Sequence, residues 1–311
     1  MSQNDTSTNS DTEATTRKTR LRSTSRVIAI FFTLILSCSS SQADTAWICA
    51  GGAAHLMDPA SGTVSMKREV VRLRISRHVI HADCSFEFQN DGPECTVRMG
   101  FPDSTTLPNS GKHGKLHGSF LTYARFVDGN KIATEEVEGS AATKDDDLFY
   151  LWHASEVRFD AGGERNIRET YSLTPGVAEV ADNCALKTAS YLLHTGSSWH
   201  GNIDAADVYV TFDHGVVSEP LNIVHCKAGT DSDKDKEIRT RTDSIHPDTV
   251  FTNHTPTVDG RTLHYHFENF RPTIADDLMV MYGPMKTWKA AKYTLGLHAR
   301  NFLRSIKSGN K

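Results

Sequence analysis

The stretch from His78 to Phe101, HVIHADCSFEFQNDGPECTVRMGF, decides the fold. Ile80, Ala82, Cys84, Phe86 and Phe88 fall on one side of an extended chain, and His81, Asp83, Ser85 and Glu87 fall on the other. That period of two is the mark of a strand with one face buried. Asn90-Asp91-Gly92-Pro93 is dense in turn-forming residues. The alternation then resumes through Cys95, Val97, Met99 and Phe101, and the expected element over 78–101 is a β-hairpin.

Working outward, Glu69–Ser76 alternates Val71, Leu73 and Ile75 against Arg72 and Arg74. Asp128-Gly129-Asn130 joins Phe120–Val127 to Ile132–Val137 as a second hairpin. Leu148–Phe159 and Asn166–Leu173 read as another pair, joined by Asp160-Ala161-Gly162-Gly163 and closed by Thr174-Pro175-Gly176. Strands this short, with turns this frequent, point to a β-sandwich over 44–176. A second sandwich-like unit is expected over 177–283. Its strands are Ala189–Leu193, Ala205–Phe212, Ile223–Cys226, Thr262–Phe270 and Asp277–Tyr282. Beyond Gly283-Pro284 the apolar residues Trp288, Ala291, Leu295, Phe302 and Ile306 recur at a helical period, so Met285–Ile306 reads as an amphipathic helix within a C-terminal segment 284–311. The expected class is mainly β: two sandwich-like units and a terminal helix.

The first 43 residues read as an address. A basic cluster (Arg17, Lys18, Arg20, Arg22, Arg26) precedes the apolar run Val27–Leu36, and Ser41-Gln42-Ala43 suits cleavage before Asp44. A spanning helix needs about 20 apolar residues, so the run is too short to cross a bilayer. The expectation is an exported, periplasmic or extracellular protein, attached to a membrane only through the signal peptide or a lipid. Ile35-Leu36-Ser37-Cys38 offers the lipid alternative, with Cys38 as the acylated residue.

The 311 residues are enough for about two domains and a large core. The composition excludes collagen, coiled coils, disulfide miniproteins and multi-span membrane proteins. Lys and Arg total 34 against 38 Asp and Glu, so no basic surplus draws nucleic acid. Removing residues 1–43 takes away five basic and three acidic residues, leaving 29 against 35 and a net of −6. Five cysteines remain outside the leader, an odd number, and none forms a Cys-x-x-Cys pair.

Gly51-Gly52, Val64, Met66, Glu69, Val71, Phe86-Glu87-Phe88-Gln89-Asn90 and Val97-Arg98-Met99-Gly100-Phe101-Pro102 together resemble a family of exported bacterial proteins of unassigned function. The same residues are distantly similar to the VIT domain, the N-terminal sandwich of inter-alpha-trypsin-inhibitor heavy chains. Tyr191, Thr195-Gly196, Trp199, Gly201 and Ala205 are similar to that bacterial family's second half. The resemblance spans residues 50–283 and implies a sandwich fold and no particular reaction.

Two places could carry chemistry. His264-x-His266-x-Glu268 sets two imidazoles and a carboxylate on one face of a strand, neighbours roughly 6.6 Å apart, a pattern that can converge on a metal ion. Against this stands the plainer account of a solvated polar face over Leu263, Tyr265 and Phe267. His194, Thr195, Trp199, His200 and Asn202 crowd one connection, where an exposed Trp would serve as an anchor for a sugar or peptide. The plainer account there is a tight corner with Trp199 in the core. Asp231, Asp233 and Asp235 lack the glycine and glutamate of a calcium loop. Neither a Gly-x-Ser-x-Gly elbow nor a phosphate-binding glycine loop occurs. The expected role is a non-enzymatic binding or scaffolding protein of the cell envelope, with no cofactor and with an envelope protein, peptide or glycan as partner. The alternatives are a metal- or carboxylate-dependent hydrolase and a carbohydrate- or peptide-binding module.

Overall fold

The computed structural model describes residues 49–57, 62–106, 118–140, 148–181, 184–225, 246, 248–286 and 289. The leader, Cys38, Cys226, the acidic stretch 231–235 and all but residues 285, 286 and 289 of the helix expected over Met285–Ile306 lie outside the described residues; Met285 itself ends a strand.

Eighteen strands occur among the described residues. They are β1 (Cys49–Gly52), β2 (His55–Leu56), β3 (Val64–Ile75), β4 (Ile80–Asn90), β5 (Cys95–Thr106), β6 (Phe120–Val127), β7 (Asn130–Ile132), β8 (Glu135–Ser140) and β9 (Leu148–Phe159). There follow β10 (Glu164–Leu173), β11 (Gly176–Ala181), β12 (Cys184–Leu192), β13 (Ile203–Phe212), β14 (Asn222–His225), β15 (Thr249–Thr252), β16 (Thr257–Asp259), β17 (Thr262–Phe270) and β18 (Leu278–Met285). A ten-stranded sheet runs β14-β15-β18-β12-β1-β5-β9-β8, with β11 on β12 and β2 on β5. An eight-stranded sheet runs β16-β17-β13-β3-β4-β10-β6-β7. The chain is mainly β, as its alternation requires.

The division at 176/177 does not separate two sandwiches. Each half contributes strands to both sheets, and each sheet is continuous across the join. In the larger sheet the join is the parallel pair β1–β12; in the smaller it is β3–β13, with Val71 opposite Val208. A single core cluster takes Phe86, Phe101 and Phe159 from the first half and Trp199, Phe212 and Tyr282 from the second. The residues Gly51-Gly52 make the first join possible. A Cβ on Gly51 would lie 2.4 Å from the Tyr171 hydroxyl, and one on Gly52 would lie 2.7 Å from the Leu192 carbonyl.

Two of the expected hairpins are arches instead. β4 pairs with β3 and β10, whereas β5 pairs with β9, β1 and β2, so residues 90–95 carry the chain from one sheet to the other. Asn90 is fully buried at this crossing. Its Oδ1 accepts from Gly92 N (3.0 Å) and Thr63 Oγ1 (2.8 Å), and its Nδ2 donates to the carbonyls of Pro93 (2.7 Å) and Asp160 (3.0 Å). β9 and β10 likewise belong to opposite sheets. The turn at Asp128-Gly129 does form a hairpin, with positive φ at both residues (49° and 81°) matching the twist a tight hairpin needs. The partner of β6 is the short β7 and not the expected 132–137, because Glu135–Val137 cross to the other sheet as part of β8.

The interior is not wholly apolar. Arg125 on β6 and Glu169 on β10 are fully buried neighbours, Nε to Oε1 2.5 Å. The Tyr123 hydroxyl donates to the other Glu169 oxygen. Arg125 also donates to the Met99 carbonyl (3.0 Å), Ser155 Oγ (2.5 Å) and the His153 carbonyl (3.1 Å), all on the opposite sheet. Glu69 on β3 is another buried acid. One oxygen accepts from the Tyr191 hydroxyl at 2.6 Å, and burial pushes its carboxyl up to about 7, only partly offset by that hydrogen bond. An acid raised on folding stabilises the fold fully below its ordinary value near 4.5, and the contribution is lost as pH rises through about 7. Between pH 5 and pH 8 the wild type should therefore lose about 2–3 kcal/mol relative to Glu69→Gln, which cannot ionise. Urea denaturation at the two pH values reads this difference, and parallel curves for the two proteins would contradict it.

Candidate functional site

β17, β13 and β3 lie side by side in the eight-stranded sheet, and each turns one face away from the core. The register sets His264, Tyr209, Arg72, Asp83 and Thr170 in one cross-strand row and His266 opposite Asp207 in the next. Val208, Val210, Leu263 and Tyr265, on the opposite face, are buried. Alternation therefore forces the polar partners outward onto a shared surface.

His264 and His266 converge on Asp207. Nε2 of His264 lies 2.9 Å and Nδ1 of His266 lies 2.8 Å from the same carboxylate oxygen, Oδ1. The other oxygen faces Arg68 at 3.5 Å. Glu268, the third residue of the sequence pattern, takes a supporting position: its Oε1 is 2.9 Å from Nε2 of His266. Burial works against ionisation of Asp207, but the hydrogen bonds and charge of the two rings outweigh it and hold its carboxyl below the usual range. Glu268, followed by Asp207, raises His266 above an ordinary imidazole. The Tyr209 ring lies flat on His264, with centroids 4.3 Å apart and planes 4° apart, and the Arg72 guanidinium lies 5.6 Å from the ring centre of Tyr209.

Beside this cluster the same face is hollowed into a groove of about 560 Å³, walled by Arg72, Arg74, His81, Asp83, Tyr209 and Thr262. The arginines of the face are matched to acids with one exception. Arg68 faces Asp207, Arg74 faces Asp213 at 2.7 Å, and Arg168 grips Asp83 with two bonds (2.8 and 2.5 Å). Arg72 forms no ion pair among the described residues. It is exposed and meets only the face of Tyr209.

The loop after β12 is a structural corner. Trp199 is 2% exposed, packs on Phe88 with ring centroids 4.5 Å apart, and donates its indole N–H to the Ala54 carbonyl at 2.6 Å. Thr195 is buried, its hydroxyl at 2.7 Å from the Ala53 carbonyl and 2.9 Å from that of Leu192. His194 Nδ1 lies 2.6 Å from Asp277, and Asn202 donates to Asn269. His200 and Asn202 are exposed. The structure thus brings His264, His266 and Glu268 together, spends Thr195 and Trp199 on packing and backbone contacts, and pairs His194 with Asp277 and Asn202 with Asn269. Binding through an exposed Trp199 does not survive this, because the corner needs the ring to cover Phe88. Cys84, Cys95 and Cys184 are free thiols, and burial raises Cys84 well above the usual range.

The sequence pattern missed Asp207, Tyr209 and Arg72 as members of the site. Alternation already placed Asp207 and Tyr209 opposite Val208. What it lacked was the pairing of β13 with β17 and β3, set by contacts 57 to 139 residues apart.

Neither a protein-family model nor a curated protein sequence matches this chain. Among solved structures, it is similar to a candidate nutrient-binding protein from Legionella pneumophila. The TM-score is 0.54 and the identity 15%, over 78% of this chain and 73% of that one. An M1 zinc metallopeptidase from Deinococcus radiodurans aligns with 70% of this chain and 42% of its own length at TM-score 0.31 and 11% identity. Yeast LTA4 hydrolase in complex with bestatin aligns with 81% of this chain and 32% of its own length at 0.33 and 6%. The Legionella likeness shows a shared fold; the two enzymes, at those scores, lend nothing to the chemistry of this chain.

Proposed function

We propose that this is an exported, non-enzymatic binding protein of the cell envelope that seats a small anionic ligand in the groove on the outer face of its eight-stranded sheet. The observation that carries the proposal is Arg72. It is the arginine of that face without an acid partner among the described residues, and it is held against Tyr209 at the wall of the groove. A planar guanidinium in that position offers paired donors to a carboxylate or phosphate, and the hydroxyls of Thr170, Thr211 and Thr262 line the same hollow. The Legionella protein of the same fold is described as a candidate nutrient-binding protein, which accords with a binding role. Export rests on the basic cluster Arg17–Arg26 and the apolar run Val27–Leu36.

Calorimetric titration with citrate and with inorganic phosphate tests the groove. At least one of these probes should bind saturably, and Arg72→Ala should weaken that binding about tenfold or more, the loss of one charge-assisted contact. Binding unchanged in Arg72→Ala would place the anion elsewhere. Binding of neutral sugars with no response to either anion would overturn the ligand class.

A further inference from the structure

We infer that Asp207, His264 and His266 form a binding site for a divalent transition-metal ion, zinc being the natural probe, with Glu268 as the outer support of His266. The inference does not depend on an anion occupying the neighbouring groove.

One atom from each residue, Oδ1 of Asp207, Nε2 of His264 and Nδ1 of His266, lies within 4.8 Å of the other two. Both imidazole nitrogens face the same carboxylate oxygen, at 2.9 and 2.8 Å. Around an ion about 2.1 Å from each donor in a tetrahedral shell the donors stand about 3.4 Å apart, so each nitrogen has to back away from the shared oxygen by roughly half an ångström. Two imidazoles and a carboxylate suit zinc or copper, whereas magnesium and calcium prefer all-oxygen shells.

His266 makes the stronger argument. Its two ring nitrogens each face a carboxylate oxygen, Asp207 on one side and Glu268 at 2.9 Å on the other. A neutral imidazole has one N–H and can satisfy one of them. A cation must lie between the remaining nitrogen and its oxygen: either a second proton or a metal ion. With a metal on Nδ1, the N–H at Nε2 donates to Glu268, the support commonly found behind a ligating histidine. The other two donors are also held. Asp207 keeps Oδ2 against Arg68 at 3.5 Å, and the ring of His264 lies flat on Tyr209. The side chain of Asp207 is 10% exposed, that of His264 31% and that of His266 45%. The donors thus rise from a buried root to an open rim, which leaves the fourth position to water or to a group of a bound ligand.

The test is calorimetric titration of the purified chain, free of any histidine tag, with zinc chloride, alongside cobalt(II) absorption spectroscopy. One zinc per chain should bind. His264→Ala and His266→Ala should each weaken binding at least about tenfold, and Glu268→Gln about ten- to a hundredfold, as the loss of an outer-shell partner does. Bound cobalt should give the intense visible bands of a low-coordinate site, and these should vanish in His264→Ala. Both histidines are partly exposed, so the alanine variants should melt close to the wild type without metal. The proposal is overturned if zinc shows no saturable binding, or if affinity and stoichiometry persist in the His264→Ala/His266→Ala double variant. A loss of binding in Glu268→Gln as complete as in the double variant would instead make Glu268 a direct ligand and overturn its supporting role.

Discussion

Alanine in place of Arg125 should destabilise the fold by about 3–5 kcal/mol, the cost of stranding one member of a buried ion pair. That is a large share of the roughly 5–15 kcal/mol that holds a typical domain together. Three consequences add up. Glu169, fully buried, loses the cation beside it; burial already pushes its carboxyl up, and Arg125 is the first of the groups opposing that. The Tyr123 hydroxyl keeps its acceptor but loses the guanidinium beside it. The carbonyls of Met99 and His153 and the hydroxyl of Ser155 lose a donor that reaches them from the facing sheet. Arg125 therefore pins the two sheets, and its removal acts on both. The double variant Arg125→Met/Glu169→Leu should recover only part of the loss: it removes the stranded carboxylate, but the Met99 and His153 carbonyls still lack their donor and the Tyr123 hydroxyl loses its acceptor. Equilibrium urea denaturation reads both numbers. A loss under about 1 kcal/mol for the single variant would mean that water reaches the pair.

Trp199→Ala should cost a similar amount, about 3–5 kcal/mol, through the cavity it opens. The ring fills the space between the corner and Phe88, and its N–H satisfies the Ala54 carbonyl. The neighbouring backbone depends on the same corner, because the Leu56 N–H donates to Ser198 Oγ at 2.8 Å. A gentler variant separates packing from binding. Trp199→Phe keeps most of the ring, removes the N–H, and should cost about 1–3 kcal/mol by leaving a buried carbonyl without its donor. Citrate or phosphate affinity should remain at the wild-type value in Trp199→Phe. A folded Trp199→Phe protein that no longer binds the anion would return the corner to consideration as the site.

Alternation reveals which face of a strand is buried, and it is silent on which sheet the strand joins. That explains what was legible in this chain. The inward set Ile80, Ala82, Cys84, Phe86 and Phe88 is buried as its period of two requires. Yet in a sandwich the strands of both sheets point apolar residues at the same core, so an arch and a hairpin carry the same pattern. Residues 90–95 and 160–163 are arches for this reason. The Asp128-Gly129 turn was legible because its chemistry is local: two residues of positive φ and a paired strand on each side. The same limit shaped the site. His264, His266 and Glu268 sit two apart on one strand and could be grouped from sequence alone. Their convergence on Asp207 and the stack His264–Tyr209–Arg72 depend on β13 pairing with both β17 and β3. Trp199 was ambiguous because a glycine-flanked loop tryptophan suits both a binding anchor and a core cap. The Phe88 contact that decides between them is long-range.

The working surface in this account is the outer face of the eight-stranded sheet. Amide chemical-shift mapping during titration with citrate or phosphate tests that placement most directly. Shifts should concentrate at residues 70–74, 81–85, 207–211 and 262–266, which share that face across β3, β4, β13 and β17. Shifts confined to the corner at 194–202, or to the ten-stranded sheet, would contradict it.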